Sequence, residues 1–100
     1  MKFLAPLNQC TLGMVRFRGQ TPWECHPDGD ELLHVVEGEL GVTVLSDGEP
    51  VRETLPAESV FIVPRGLWHR TSATAGTVLL FATAAETSEH SWAEDPRATS

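Results

Sequence analysis

Positive charge is scarce: 7 of the 100 residues are Lys or Arg, against 14 Asp or Glu, and the formal net charge is −7. Without a basic cluster to neutralise phosphates, the composition argues against nucleic acid as a partner. It argues equally against a basic membrane-surface patch. Long apolar runs are missing as well. No stretch approaches the ~20 consecutive apolar residues of a transmembrane helix. Pro6, Asn8 and Gln9 interrupt the N-terminal apolar run before a signal-peptide core can form. Cysteine is limited to Cys10 and Cys25, too few for a disulfide framework and at no zinc-knuckle spacing. The expectation is two free thiols in a cytoplasmic protein.

What is present reads as an ordinary globular chain, with 41% apolar and 21% charged residues. Its length supports one domain, residues 1–100, able to bury roughly 60–70% of its unfolded surface. Eight Gly and seven Pro are spread evenly enough to leave little room for long helices. Short apolar or alternating runs lie between these breaks, as in an all-β sandwich or barrel. The expected strands cover residues 11–18, 31–37, 40–45, 51–55, 59–63, 68–74 and 77–82. Asp47-Gly48 is a strong hairpin signal, since Gly tolerates the positive φ of the turn, and Glu37-Gly38 is a weaker one. Core candidates are Val15, Phe17, Leu33, Val35, Val42, Val44, Val60, Ile62 and Phe81. Residues 83–100 are small and polar. They read as a short helix capped from Thr83 to Glu86, as a loose tail, or as an ordered arm that packs on a neighbour, for which Trp92 is the argument.

Metal-competent side chains gather in the segment 24–31, where Glu24 and His26 share one face of a strand and the turn Pro27–Asp30 returns Glu31 on the next. A rigid Pro64-Arg65-Gly66 turn launches His69 much later in the chain. A closed barrel brings His69 opposite the first group, so that two imidazoles and one or two carboxylates converge. Such a set suits Fe(II), Mn(II), Ni(II) or Zn(II), because no soft thiolate takes part.

Two segments carry a resemblance to the cupin superfamily. WECHPDGDELLHVVEGEL resembles its first motif: His26, four residues, Glu31, six residues and Gly38 reproduce the second half without a gap. VPRGLWHRTSA resembles the second, Pro-x-Gly-x-x-His, at Pro64, Gly66 and His69. The likeness covers about residues 11–82 and implies a small cupin or jelly-roll β-barrel of two antiparallel sheets, a divalent metal in the barrel, a small-molecule ligand and a homodimer. The metal-ligand set it implies is Glu24, His26, Glu31 and His69. The chain departs from the family at two places. Glu24 stands where the first histidine is usual, and Ala73 where an Asn often follows. Glu24 then supplies a carboxylate to a formally neutral site, or swings away and leaves three ligands with open positions, or marks a site that no longer binds metal.

Other chemistry-bearing residues have plainer readings. His34 has odd parity relative to Glu31 and points away from the pocket, and His90 lies solvated in the tail. Cys25, between Glu24 and His26, faces outward unless a bulge reverses it. Asp28 and Asp30 solvate the turn, Asp30 with a further role orienting backbone. Arg65 stands in the turn that the resemblance places near the barrel mouth, and reads as an exposed, solvated cation ahead of a partner for a substrate anion. Trp23 and Trp68 oppose Glu24 and His69 and pack between layers or at an interface. Leu33 and Val35 share Glu31's parity and line the inside, as Thr71 and Ala73 do with His69. Function is expected to be metal-dependent binding of a small polar or carboxylate-bearing metabolite. Catalysis as a dioxygenase or isomerase, with Glu24 as candidate general base, stands beside a non-catalytic sensor or binding module and a structural partner for another subunit.

Overall fold

Alternation over five to eight residues, cut by Gly and Pro, leaves the backbone little choice but extended structure. The computed structural model describes residues 1–84 and 88–98. Among them are nine strands: β1 (Lys2–Leu7), β2 (Cys10–Gln20), β3 (Trp23–Cys25), β4 (Glu31–Glu37), β5 (Glu39–Leu45), β6 (Val51–Pro56), β7 (Val60–Val63), β8 (Trp68–Ala84) and β9 (Glu89–Ser91). A 3-10 turn follows at Pro96–Ala98. The strands form one connected antiparallel sheet that curls into a nearly closed barrel, the all-β jelly-roll expected.

The 17-residue strand β8 organises the molecule. Along one side it pairs with β2, from Cys10↔Ala84 to Gln20↔Ser72. Along the other it pairs with β4 (Leu32↔Ala82 to Glu37↔Val78) and then with β5 (Gly41↔Ser72 to Leu45↔Trp68). The two strand runs expected at 68–74 and 77–82 are therefore one strand, bent at Gly76 (φ +66°). The Glu37-Gly38 signal is not a hairpin: β4 and β5 pair with β8 and not with each other. Gly38, at φ +84°, carries the chain from one to the other against Thr77, whose Cα would lie 3.2 Å from any Cβ added there. Only glycine meets both demands. The Asp47-Gly48 signal does mark a hairpin, β5–β6, with Val44 opposite Val51. Its loop is five residues long, 46–50, and Gly48 is not among the glycines with positive φ, so the wider loop removed the need for that conformation.

The core is Leu33, Val35, Leu40, Val42, Val44, Leu55, Val63 and Leu79, with Val15, Phe17 and Phe81 packed against it. Two core expectations are overturned: Val60 and Ile62 are 59% and 50% exposed. Their neighbours Phe61 and Val63 point inward instead, because they lie opposite Leu33 and Glu31 across the β4–β7 pair. In a run of four apolar residues, alternation cannot show which pair is buried.

Two strands lie outside those expected from the alternation. β1 pairs with β2 and is exposed along its whole length. β9 pairs with β3, Glu24 opposite His90, so residues 88–91 are an ordered arm on the barrel. Arg97 fastens the arm further along by donating to the Ser46 carbonyl. Trp92 is nonetheless exposed. Thr83 lies in β8, and its expected capping partner Glu86 is outside the described residues. No helix among the described residues is long and apolar enough to cross a membrane.

Candidate metal centre and its cavity

The two sequence segments meet through backbone contacts. The Gly66 amide donates to the His26 carbonyl (3.1 Å), and the Arg65 amide donates to the Asp30 carboxylate (2.8 Å). The Pro64-Arg65-Gly66 turn is thereby docked on the loop that follows His26, and Asp30 orients backbone. β8 leaves that turn beside β3, with His69 directly opposite Glu24.

His26, Glu31 and His69 converge at the floor of the barrel. Each offers a ligand atom within 4.8 Å of the other two, and all three are buried. Glu31 Oε1 lies 2.8 Å from His69 Nε2 and 3.4 Å from His26 Nε2. The imidazole planes are tilted by 44° with centroids 5.2 Å apart. The outer nitrogens are both held. His69 Nδ1–H donates to the Leu67 carbonyl (3.3 Å), and His26 Nδ1 is hydrogen-bonded to Ser88 Oγ (2.8 Å). Such contacts fix each ring and aim Nε2 inward.

Glu24 also lines the cavity but is not in that cluster. Its Oε1 is 3.4 Å from Nε2 of His90 on the arm. His90, read from the sequence as a solvated tail residue, therefore faces a candidate site residue. His34 lies on the far face of β4, opposite Val60 and Leu80. Cys25 is buried although it faces away from the pocket, because the arm covers that side. Burial and the nearby charge of Glu89 push its thiol upward, which removes thiolate character. Arg65 borders a separate shallow surface depression with Asp30 and not the barrel interior. Trp23 is buried with the Arg70 guanidinium 4.4 Å above its ring, a cation–π contact on the outer face.

Electrostatics bind the centre together. Burial works to raise Glu31, but the interactions with His26 and His69 prevail and hold its carboxyl below the ordinary 4.5. Burial likewise works to lower His69, and Glu31, the Leu67 carbonyl and Glu24 overcome it, holding the imidazole above the ordinary 6.5. Glu31's contribution to stability is present above pH 4.5 and is lost as pH falls through its lowered value. His69's is full below pH 6.5 and is lost as pH rises through its raised value. The metal-free protein is expected to show this pair's stabilisation at its greatest between pH 4.5 and 6.5. Thermal melts from pH 3 to 9 check this, and Glu31→Gln should flatten the profile.

A divalent ion fits these residues. His26 Nε2 is buried and, among the described residues, makes no hydrogen bond of good geometry, with Glu31 Oε1 standing off at 3.4 Å, an arrangement proteins avoid unless the atom is reserved for something else. It faces one carboxylate oxygen and a second Nε2, a two-histidine, one-carboxylate donor set suited to Fe(II), Mn(II), Ni(II) or Zn(II). The set opens on a cavity of about 410 Å³.

Comparison with known proteins follows the same lines. Residues 14–83 match the family model of the cupin domain. The chain belongs to the cupin family. Among curated proteins, the cupin is 35% identical over 77 residues to the uncharacterized protein YdbB of Bacillus subtilis (strain 168), covering 77% of this chain and 66% of that one. Among solved structures, it resembles a cupin-2 domain containing protein from Shewanella frigidimarina NCIMB 400, with TM-score 0.68, 25% identity and coverage of 81% and 76%. It also shares its fold with oxalate oxidase in complex with glycolate, with TM-score 0.72, 22% identity and coverage of 82% of this cupin but 46% of that chain.

Sequence reading missed Ser88, and no signal there reveals it: the arm pairs over three residues, too few for a pattern. Ser88→Ala is expected to weaken metal binding by about 10-fold, at the lower end for loss of a group that orients a ligand. Calorimetric titration of Zn²⁺ into the native and variant proteins measures it, and Ser88→Thr should restore most of the loss.

Proposed function

We propose that this cupin holds a divalent metal ion through His26, Glu31 and His69, with Glu24 available as a fourth ligand, and uses it to bind a small molecule in the barrel. The carrying observation is the convergence of buried His26 Nε2, Glu31 Oε1 and His69 Nε2 at the cavity floor. A bound ion would supply Lewis-acid polarisation of an oxygen on the ligand. The chain's own residues do the rest. Ser88 and the Leu67 carbonyl orient the imidazoles, Glu31 supplies the negative charge, and the barrel wall limits water.

In its enzymatic form the proposal is a dioxygenase or isomerase in which Glu24, on the cavity wall, moves the proton. A second reading, a non-catalytic binding or sensor cupin, is favoured by the engagement of Glu24 with His90, which leaves the cavity without a free acid–base group. The two separate on turnover: the first predicts oxygen uptake or product formation with a bound ligand, the second binding alone. For either, a metal at ~100 times its dissociation constant should stabilise the fold by about 2.7 kcal/mol, read as a rise in Tm. Absence of any rise with Fe(II), Mn(II), Ni(II) and Zn(II) refutes both.

Two further features complete the reading. Phe3, Leu4 and Leu7 are exposed on the edge strand β1, which supports self-association as a homodimer; light scattering at several concentrations checks it. Cys10 and Cys25 are unpaired, which supports a reducing, cytoplasmic setting.

A further inference from the structure

His26, Glu31 and His69 form the cavity floor, Glu24 adds a carboxylate on the wall, and the rest of the wall is mostly apolar, with the hydroxyls of Thr11, Thr21, Thr71 and Thr83 among it. Phe3, Phe17 and Phe81 line it together with Val15, Leu33 and Leu79, and none of its lining residues is Lys or Arg. The cations near the barrel are committed elsewhere. Arg16 donates to the Gly76 carbonyl and to Glu37 on the outer surface. Arg70 points to the opposite face from His69 and lies over Trp23. Arg65 sits at the separate surface depression. The Thr21 hydroxyl, on the wall, is already occupied by the backbone of Thr71.

A ligand in this space meets its charged partners at the floor and at Glu24, and mostly rings, branched aliphatic side chains and threonines over the rest. An anionic group held away from the floor would lose its water and gain no Lys or Arg partner, a large cost in mostly apolar surroundings. An aromatic or aliphatic body gains contact area there and, with three phenylalanines, favourable ring–ring geometry. The volume of about 410 Å³ lies within the ordinary range for a small-molecule site and admits a single substituted ring.

We infer that the barrel selects a neutral, largely aromatic or apolar small molecule with one oxygen-bearing end directed at His26, Glu31 and His69, and discriminates against dicarboxylates. The inference rests on the cavity being a ligand site as proposed above. It confines the polarity of the small polar metabolite expected from the sequence to one end.

The test is calorimetric titration of 4-ethylphenol and of adipate, molecules of similar size, into the Zn²⁺-loaded protein and into the metal-free protein. Zn²⁺ is chosen because it does not oxidise phenols. 4-Ethylphenol is expected to bind at least about 10-fold more tightly than adipate to the loaded protein, with the same order of preference in the metal-free protein. Phe17→Ala should weaken 4-ethylphenol several-fold and leave Zn²⁺ affinity unchanged. Equal or tighter binding of adipate, or binding of neither molecule, overturns the inference. Failure to take up Zn²⁺ overturns the metal reading instead, and the metal-free titrations still decide the preference of the walls.

Discussion

Glu31→Ala is expected to abolish useful metal binding and to lower the stability of the metal-free protein at the same time. Glu31 is the element common to both close contacts of the centre, with one oxygen 2.8 Å from His69 Nε2 and 3.4 Å from His26 Nε2. Loss of a group that only orients a ligand typically weakens a metal by ~10–100-fold, so loss of the sole carboxylate in the cluster should exceed 100-fold. At a metal concentration that stabilises the native protein by about 2.7 kcal/mol, a 100-fold weaker variant gains about 0.4 kcal/mol or less. Without metal, the variant leaves the buried His69 ring short of its closest partner, a loss of about 1–3 kcal/mol. Melts with and without Mn(II) or Zn(II) separate the two effects. A variant that keeps the full metal-induced rise would show that the ion is held elsewhere.

Leu40→Ala is expected to have the opposite profile, a large loss of stability with the centre intact. Leu40 has no exposed surface, belongs to the main core cluster and does not line the cavity. Truncation of such a side chain costs about 2–5 kcal/mol, which for a chain of this size lowers Tm by at least about 8 °C. Metal affinity measured where the variant is still folded should be unchanged. A loss below about 1 kcal/mol would show that the barrel closes over the gap more readily than its packing implies.

The contrast between these two positions mirrors what sequence can carry. The meeting of His26, Glu31 and His69 was legible because each lies at a fixed offset from a residue with a backbone duty. His26 precedes a proline turn, Gly38 follows Glu31 by seven residues, and His69 follows the Pro64–Gly66 turn. Period-2 alternation then placed Leu33 and Val35 on Glu31's face and Thr71 and Ala73 on His69's, and all four are buried. Alternation gave no guidance for Val60–Val63, where four apolar residues in succession fit either face. Nor could it show that β4 and β5 share β8 as partner, since pairing between residues so far apart in the chain, such as Leu32 with Ala82 and Leu45 with Trp68, is set by the closing of the barrel and not by the local turn at Gly38. β9 and the contacts it brings, Ser88 to His26 and His90 to Glu24, were invisible for a related reason. A three-residue strand has no period, and its place depends on an edge of β3 that exists only once the barrel has formed. Glu24 shows the limit most clearly: its residue type fits a ligand, a general base or an ion-pair partner equally well, and the structure sets it beside His90.

The most direct measurement is the metal content per chain, by mass spectrometry, of protein purified without chelators or a metal-affinity tag. The account predicts close to one divalent ion per native chain and none in Glu31→Ala. Native protein that carries no metal, even after reconstitution with Fe(II), Mn(II), Ni(II) and Zn(II) in turn, would contradict it.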